Sequence, residues 1–137
     1  MENKQKTALV VEDNEDIILG LEDKLGSLGY HVITVTQADA AIPEIAKLKS
    51  EAKKLDLLVT DNKTPGSMTG LELLGKINPE DGITSIIWTA GFTNEFELQA
   101  RKAGASYSFI KPDVKKLYAK LEEIAKNPHA GKDSITR

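Results

Sequence analysis

The chain has 137 residues and a formal net charge of −3, and it contains no cysteine. A domain of this length can bury a core without metal or disulfide support. The lack of cysteine excludes disulfides, thiolate zinc sites and thiol nucleophiles, and the weak negative charge argues against nucleic-acid binding. No apolar run approaches the roughly 20 residues that span a bilayer, and the N-terminal residues lack a signal-peptide pattern. We therefore expect a soluble, cytoplasmic protein without nucleic-acid or membrane partners.

Short apolar runs recur along the chain and predict β-strands. Several of them are continuous rather than alternating, as is typical of parallel strands covered on both faces. The predicted strands are Ala8–Val11, Val32–Thr36, Leu55–Thr60, Ile83–Thr89 and Ser106–Ile110.

Segments with helical periodicity separate these runs. Gly29 is placed to end the first helix, and Asn94 and Asp113 are placed to cap the fourth and fifth. The predicted helices cover Ile17–Leu28, Ile42–Lys54, Gly70–Ile77, a segment that starts at Asn94, and Val114–Ala125.

The alternation of strands and helices predicts an α/β fold. Right-handed crossovers are nearly obligatory, so successive βα units build a parallel, doubly wound sheet with helices on both faces. We expect one domain over residues 1–127 and a flexible C-terminal tail over residues 128–137, which is polar and contains Pro and Gly.

Polar side chains follow the predicted strands at the points where these strands end. Glu12 and Asp13 follow the first strand, Asp61 the third and Lys111 the fifth, and Thr89 ends the fourth. In open α/β sheets, ligands bind outside the carboxyl ends of the strands. The sequence therefore predicts that these five side chains converge on one rim.

These residue types together match phosphoryl transfer to a carboxylate. Clustered carboxylates repel one another unless a cation neutralises them, and Mg²⁺ suits carboxylates combined with water and phosphate. Asp61 could then attack phosphorus to form an aspartyl phosphate. Lys111 and Mg²⁺ would neutralise the transferring group, and the Thr89 hydroxyl could bind one of its oxygens.

Each residue also has a purely structural interpretation. Glu12 and Asp13 could form an acidic helix start, Asp61 could belong to a turn, and Thr89 could be an ordinary strand residue. Lys111 precedes a proline at the start of a helix, which is common. No residue is decisive alone; the whole set, in this order and at the strand ends, favours the chemical interpretation.

Four motifs resemble the response-regulator receiver family, and the resemblance extends from about Thr7 to Asn127. It implies a flavodoxin-like, three-layer fold with five helices and strand order 2-1-3-4-5. The motifs are LVVEDNE (Leu9–Glu15), LLVTDNKTPG (Leu57–Gly66), IIWTAG (Ile86–Gly91) and AGASYSFIKP (Ala103–Pro112).

The resemblance also implies roles for individual residues. Glu12 and Asp13 would hold Mg²⁺, Asp61 would be the phosphoacceptor and a direct metal ligand, and the backbone carbonyl of Lys63 would complete the protein's share of the coordination. Lys111 would bind the phosphoryl group.

Thr89 would supply the switch hydroxyl of the family, and the Lys111–Pro112 peptide bond would be cis. The family usually has Tyr or Phe three residues before this lysine, but here that position is Ser108, and strand alternation points its aromatic neighbours to the other face. Trp88 is interpreted as core packing.

We therefore expect a single-domain response regulator that is phosphorylated by a histidine kinase or a histidine phosphotransfer protein and then binds a target protein. The face of the fourth helix, fifth strand and fifth helix would be the switched surface. Such a protein would catalyse only its own phosphorylation and dephosphorylation. One alternative is a degenerate receiver that docks a partner without phosphorylation. A flavodoxin-like or hydrolytic enzyme is a weaker alternative. The chain has no glycine-rich phosphate loop for a cofactor, and Lys63 stands where a related phosphohydrolase would have a second Asp.

Overall fold

A computed structural model describes residues 5–126, so the predicted flexible tail lies outside the described residues. Five parallel strands form one sheet in the order β2-β1-β3-β4-β5, which confirms the predicted doubly wound fold. Within residues 5–126, no helix has the length and apolar character needed to cross a membrane. The elements are β1 Lys6–Val11, α1 Glu15–Ser27, β2 Tyr30–Val35, α2 Ala41–Ser50, β3 Leu57–Thr60, α3 Gly70–Gly75, β4 Thr84–Thr89, α4 Asn94–Ala103, β5 Tyr107–Ile110 and α5 Val114–Lys126.

Two apolar cores cover the two faces of the sheet. In β1, Ala8 and Val10 belong to the core that also contains residues of α1 and α5. Leu9 and Val11 belong to the opposite core, which contains residues of α2, α3 and α4. Successive side chains of a strand point to opposite faces, so both sets must be apolar. This two-sided burial explains the continuous apolar runs in the sequence.

The second helix is shorter than its sequence predicts. Helix α2 ends at Ser50 rather than at Lys54, and Ala52 adopts a left-handed conformation with φ of 57°. The Lys53 N–H donates to the carbonyl of Leu48 at 2.8 Å, which is the closing bond of a Schellman motif. The polar stretch therefore turns the chain towards β3 instead of extending the helix.

The predicted caps are confirmed at α5 but wrong at α4. The Asp113 carboxylate accepts the N–H of Lys115 at 3.1 Å, as an N-cap does. At α4 the cap is Thr93, whose hydroxyl accepts the N–H of Phe96 at 3.0 Å, and Asn94 is the first helical residue. A hydroxyl and an amide both cap helices well, so the adjacent pair could not be ranked from sequence. Gly29, with φ of 95°, follows α1 as predicted.

Candidate functional site

Backbone hydrogen bonds continue past the ends of the strands and hold the polar residues at one rim. The Asp61 N–H donates to the carbonyl of Val11 at 3.0 Å, which places Asp61 next to the end of β1, where Glu12 follows. The Lys111 N–H donates to the carbonyl of Thr89 at 3.0 Å. The main-chain hydrogen bonds therefore bring these residues to one rim independently of their side-chain contacts.

Three carboxylates converge at this rim. One oxygen from each of Glu12, Asp13 and Asp61 lies within 4.8 Å of the others. Glu12 is 2% exposed, whereas Asp13 is exposed and Asp61 is half-buried. The cluster thus runs from the protein interior to the surface, so an ion could reach it from solvent.

Lys111 joins two of these carboxylates. Its Nζ lies 2.8 Å from Glu12 Oε1 and 2.8 Å from Asp61 Oδ2. Burial lowers the pKa of Lys111, but the hydrogen bonds and charges of Asp61 and Glu12 outweigh it, so the pKa is raised overall. Lys111 therefore remains a cation at the centre of the cluster.

The donor set suits a divalent metal ion. Three carboxylates and one ammonium group leave a formal charge of −2, which one divalent cation would neutralise. Hard cations such as Mg²⁺ and Mn²⁺ prefer oxygen ligands of this kind. The Lys63 N–H donates to Asp61 Oδ1 at 3.3 Å, and Lys63 itself is exposed beside the cluster.

Thr89 ends β4, the strand that pairs with β3. It is 3% exposed, and the Gly91 N–H lies 3.5 Å from its hydroxyl oxygen, at the limit of a hydrogen bond. The hydroxyl oxygen therefore accepts only this weak contact, and its O–H could donate to an incoming acceptor.

The loop after Asp61 is fixed to the start of α3 by contacts that the sequence reasoning missed. The Gly70 N–H donates to the carbonyl of Asn62 at 2.8 Å, and the Asn62 side chain accepts the N–H of Leu71 at 3.1 Å. A Cβ atom at Gly70 would lie 2.4 Å from the backbone oxygen of Asp61. A glycine at the start of a helix is unusual, because other residues stabilise helices better. The sequence does not show, however, which part of the chain such a glycine approaches.

Trp88 lies in the core, as predicted, but it also contacts the site. It is 3% exposed, and Lys111 Nζ lies 5.3 Å from the centroid of its ring. Trp88 pairs with Phe109 in the β4–β5 register, so Lys111, two residues further on, projects from the same face. Strand register could have predicted this contact, but only once the pairing was known.

The position that departs from the usual family pattern lies in β5. Tyr107 and Phe109 pack against the core of α1 and α5, as alternation predicts, and Ser108 points to the opposite face. Ser108 lines a cleft of about 220 Å³ together with Arg101 and Lys120. The Lys111–Pro112 peptide bond is cis, as expected.

The fold and the rim define a parallel, doubly wound domain with a carboxylate site at the strand ends, and comparison with known proteins identifies its class. The family model of the response regulator receiver domain matches residues 8–122. The chain belongs to this family, whose members are receiver domains of two-component response regulators.

A curated relative agrees with this assignment, and solved structures share the fold. The chain is 30% identical over 108 residues to the alkaline phosphatase synthesis transcriptional regulatory protein PhoP of Bacillus subtilis, covering 78% of this chain and 42% of that protein. A two-component response regulator from Clostridium difficile superposes with a TM-score of 0.77 at 22% identity, covering 92% of this chain and 100% of the other. The Mn²⁺-bound form of response regulator Rcp1 superposes with a TM-score of 0.71 at 19% identity, covering 89% and 93%. The chain spans less than half the length of the curated relatives it matches.

Proposed function

We propose that this chain is a response regulator receiver that accepts a phosphoryl group on Asp61 in the presence of Mg²⁺. The proposal includes the domain boundaries expected from the sequence, a receiver over residues 1–127 and a tail over 128–137. It places the protein in the cytoplasm, with a histidine kinase or a histidine phosphotransfer protein as the phosphoryl donor.

The observation that carries the proposal is the position of Lys111. Its ammonium contacts Asp61 and Glu12 at 2.8 Å each, while Asp13 completes a cluster of oxygen donors. A cation on one side of a carboxylate and a metal-type donor set on the other is the arrangement that phosphoryl transfer to that carboxylate requires. A structural ion pair would need only one carboxylate for one lysine.

In the proposed reaction, a carboxylate oxygen of Asp61 attacks the phosphorus of the donor. An oxygen–phosphorus bond forms, the bond from phosphorus to the donor nitrogen or oxygen breaks, and the donor leaves with that electron pair. Glu12, Asp13, Asp61 and the backbone carbonyl of Lys63 would hold Mg²⁺, which supplies charge neutralisation for the phosphoryl oxygens.

Two residues would bind the group after transfer. The Lys111 ammonium, already 2.8 Å from Asp61 Oδ2, can pair with a phosphoryl oxygen without a change of strand position. The Thr89 hydroxyl would donate a hydrogen bond to another phosphoryl oxygen. Since Thr89 ends β4, its movement would be transmitted to the start of α4.

The switched surface is proposed to be the face of α4, β5 and α5, where it would contact a downstream target protein. Three large apolar side chains are exposed there: Leu98 on α4 at 53%, Ile110 on β5 at 46% and Val114 on α5 at 42%. Each of the three elements therefore offers one exposed apolar side chain that a target protein could cover on binding. No nucleic-acid or membrane partner is proposed.

The test is phosphorylation by acetyl phosphate with and without Mg²⁺, followed by phosphate-affinity gel electrophoresis. We expect a Mg²⁺-dependent mobility shift in the wild-type protein and none in Asp61→Asn. Asp56→Asn is the matched control, because Asp56 lies at the opposite end of β3 and accepts a hydrogen bond from the Thr7 N–H. This control is expected to shift like the wild type.

The alternative is a degenerate receiver that docks its partner without phosphorylation, and the presence of Ser108 in place of an aromatic residue favours it. Absence of a shift with acetyl phosphate and with a histidine phosphotransfer donor, together with absence of Mg²⁺ binding by calorimetry, would support this alternative and reject the proposal. A shift that persists in Asp61→Asn would place the phosphoryl group elsewhere.

A further inference from the structure

Trp88 makes two contacts with the segment that carries Lys111. Its indole N–H donates to the carbonyl of Ile110 at 3.3 Å, and Lys111 Nζ lies over its ring at 5.3 Å from the centroid. One side chain therefore contacts both the backbone that leads into Lys111 and the charged end of Lys111.

The Ile110 carbonyl also accepts the N–H of Asp113, the cap of α5, at 3.1 Å. Trp88 thus contacts the turn between β5 and α5, and its own side chain is buried in the core at 3% exposure. Lysine carries its ammonium on a flexible four-carbon stem, so a contact with a buried ring would restrict where that ammonium lies.

The environment strengthens the contact between the ring and the ammonium. A cation within about 6 Å of a tryptophan ring centroid is attracted by the ring, most strongly where both groups are shielded from water. The Lys111 side chain is 13% exposed, compared with 22% for Lys24 and 25% for Lys120, which lie over Tyr118 and Tyr107. Among the described residues, the Trp88 pair is thus the most buried of its kind.

We infer that Trp88 is a positioning residue, which holds the Lys111 ammonium against Asp61 and Glu12. The inference rests on the proposed function, because it assigns Trp88 a role in phosphoryl transfer to Asp61. The competing explanation is that Trp88 only fills the core and that its distance from Lys111 has no consequence.

The first test observes the contact directly and needs no phosphorylation. In protein labelled with ¹³C-lysine, the ring of Trp88 should move the Lys111 ε-methylene proton signal upfield from those of solvent-exposed lysines. Lys111→Arg assigns the signal by removing it. The signal should return to the normal lysine range in Trp88→Leu and keep part of its shift in Trp88→Phe.

The second test measures the rate of phosphorylation by acetyl phosphate at saturating Mg²⁺. Loss of a shielded cation–ring contact should slow Trp88→Leu by about tenfold. Trp88→Phe keeps an aromatic face and should recover most of that rate. The matched control is Ile86→Ala, since Ile86 lies on the same strand and face, is fully buried, and is two residues further from the rim.

The outcomes separate the two explanations. An upfield Lys111 signal, together with slowing in Trp88→Leu that exceeds the slowing in an equally destabilised Ile86→Ala, supports the inference. A normal Lys111 signal, or equal slowing in both variants, overturns it. If the wild-type protein is not phosphorylated at all, the proposed function fails, and the Lys111 signal then decides alone whether Trp88 positions the amine.

Discussion

The backbone oxygen of Asp61 lies so close to Gly70 that a Cβ atom there would be 2.4 Å away. The approach arises because the Gly70 N–H donates to the carbonyl of Asn62, which draws the start of α3 against the loop that carries Asp61. The conformation of this loop therefore depends on a residue without a side chain nine positions further along the chain.

Gly70→Ala should destabilise the fold and displace Asp61. Inserting a methyl group into a packed backbone contact costs about 1–3 kcal/mol, and here the relaxation must move the loop itself. We expect a lower urea midpoint and slower labelling by acetyl phosphate. Gly75→Ala is the control, because nothing lies within 4 Å of its Cβ position; it should be neutral or slightly stabilising. Normal labelling in Gly70→Ala would contradict the proposed dependence.

Lys111→Met should destabilise the metal-free protein by about 3 kcal/mol, since removing one partner of a buried ion pair leaves the other uncompensated. The buried Glu12, which is 2% exposed, carries most of this penalty. Adding Mg²⁺ should recover a large part of it, because the metal replaces the lost positive charge. Urea denaturation with and without Mg²⁺ measures both effects. Lys111→Arg, which keeps the charge, should lose less stability. Equal destabilisation of Lys111→Met with and without Mg²⁺ would argue against a metal site built on the carboxylates that Lys111 contacts.

Asp13→Asn should have opposite effects on metal-free and metal-bound stability. Asp13 is exposed within the carboxylate cluster, so removing its charge relieves repulsion and should slightly stabilise the metal-free protein. Mg²⁺ at a hundred times its dissociation constant would stabilise the wild-type protein by about 2.7 kcal/mol, and the variant should lose most of this gain. The melting temperatures of the wild-type protein and the variant across a Mg²⁺ titration test both effects. Asp23→Asn, on α1, is the control, and an unchanged Mg²⁺ response in Asp13→Asn would exclude Asp13 as a ligand.

Thr93→Ala should cost about 1 kcal/mol, because it removes the hydroxyl that caps α4. Asn94→Ala should change the stability by less than about 0.5 kcal/mol, since Asn94 is the first helical residue and not the cap. The two urea midpoints decide between the cap predicted from sequence and the cap in the structure. A larger loss in Asn94→Ala would restore the sequence prediction.

The end of α2 and the start of α4 could not be predicted from sequence patterns, because each offered more than one suitable residue. The polar residues after Ser50 have good helical propensity, yet the chain turns at Ala52 because β3 must start beside β1. Thr93 and Asn94 are both good caps, and Thr93 is the one with the extended backbone that a cap requires, at φ of −138° and ψ of 169°. In each case tertiary constraints override a weak local preference.

The sequence alone determined the fold class and the rim of the site. Continuous apolar runs that alternate with helical periodicity permit few folds other than a doubly wound sheet, and parallel strands bring their carboxyl ends to one edge. Glu12, Asp61 and Lys111 could therefore be placed together from their positions after strands. The tertiary structure alone decided how they meet: the bond of Lys111 to both carboxylates, the ring of Trp88 beside it, and the approach of Gly70 to Asp61. These contacts join residues far apart in the chain, and their distances depend on strand register and packing, which periodicity does not encode.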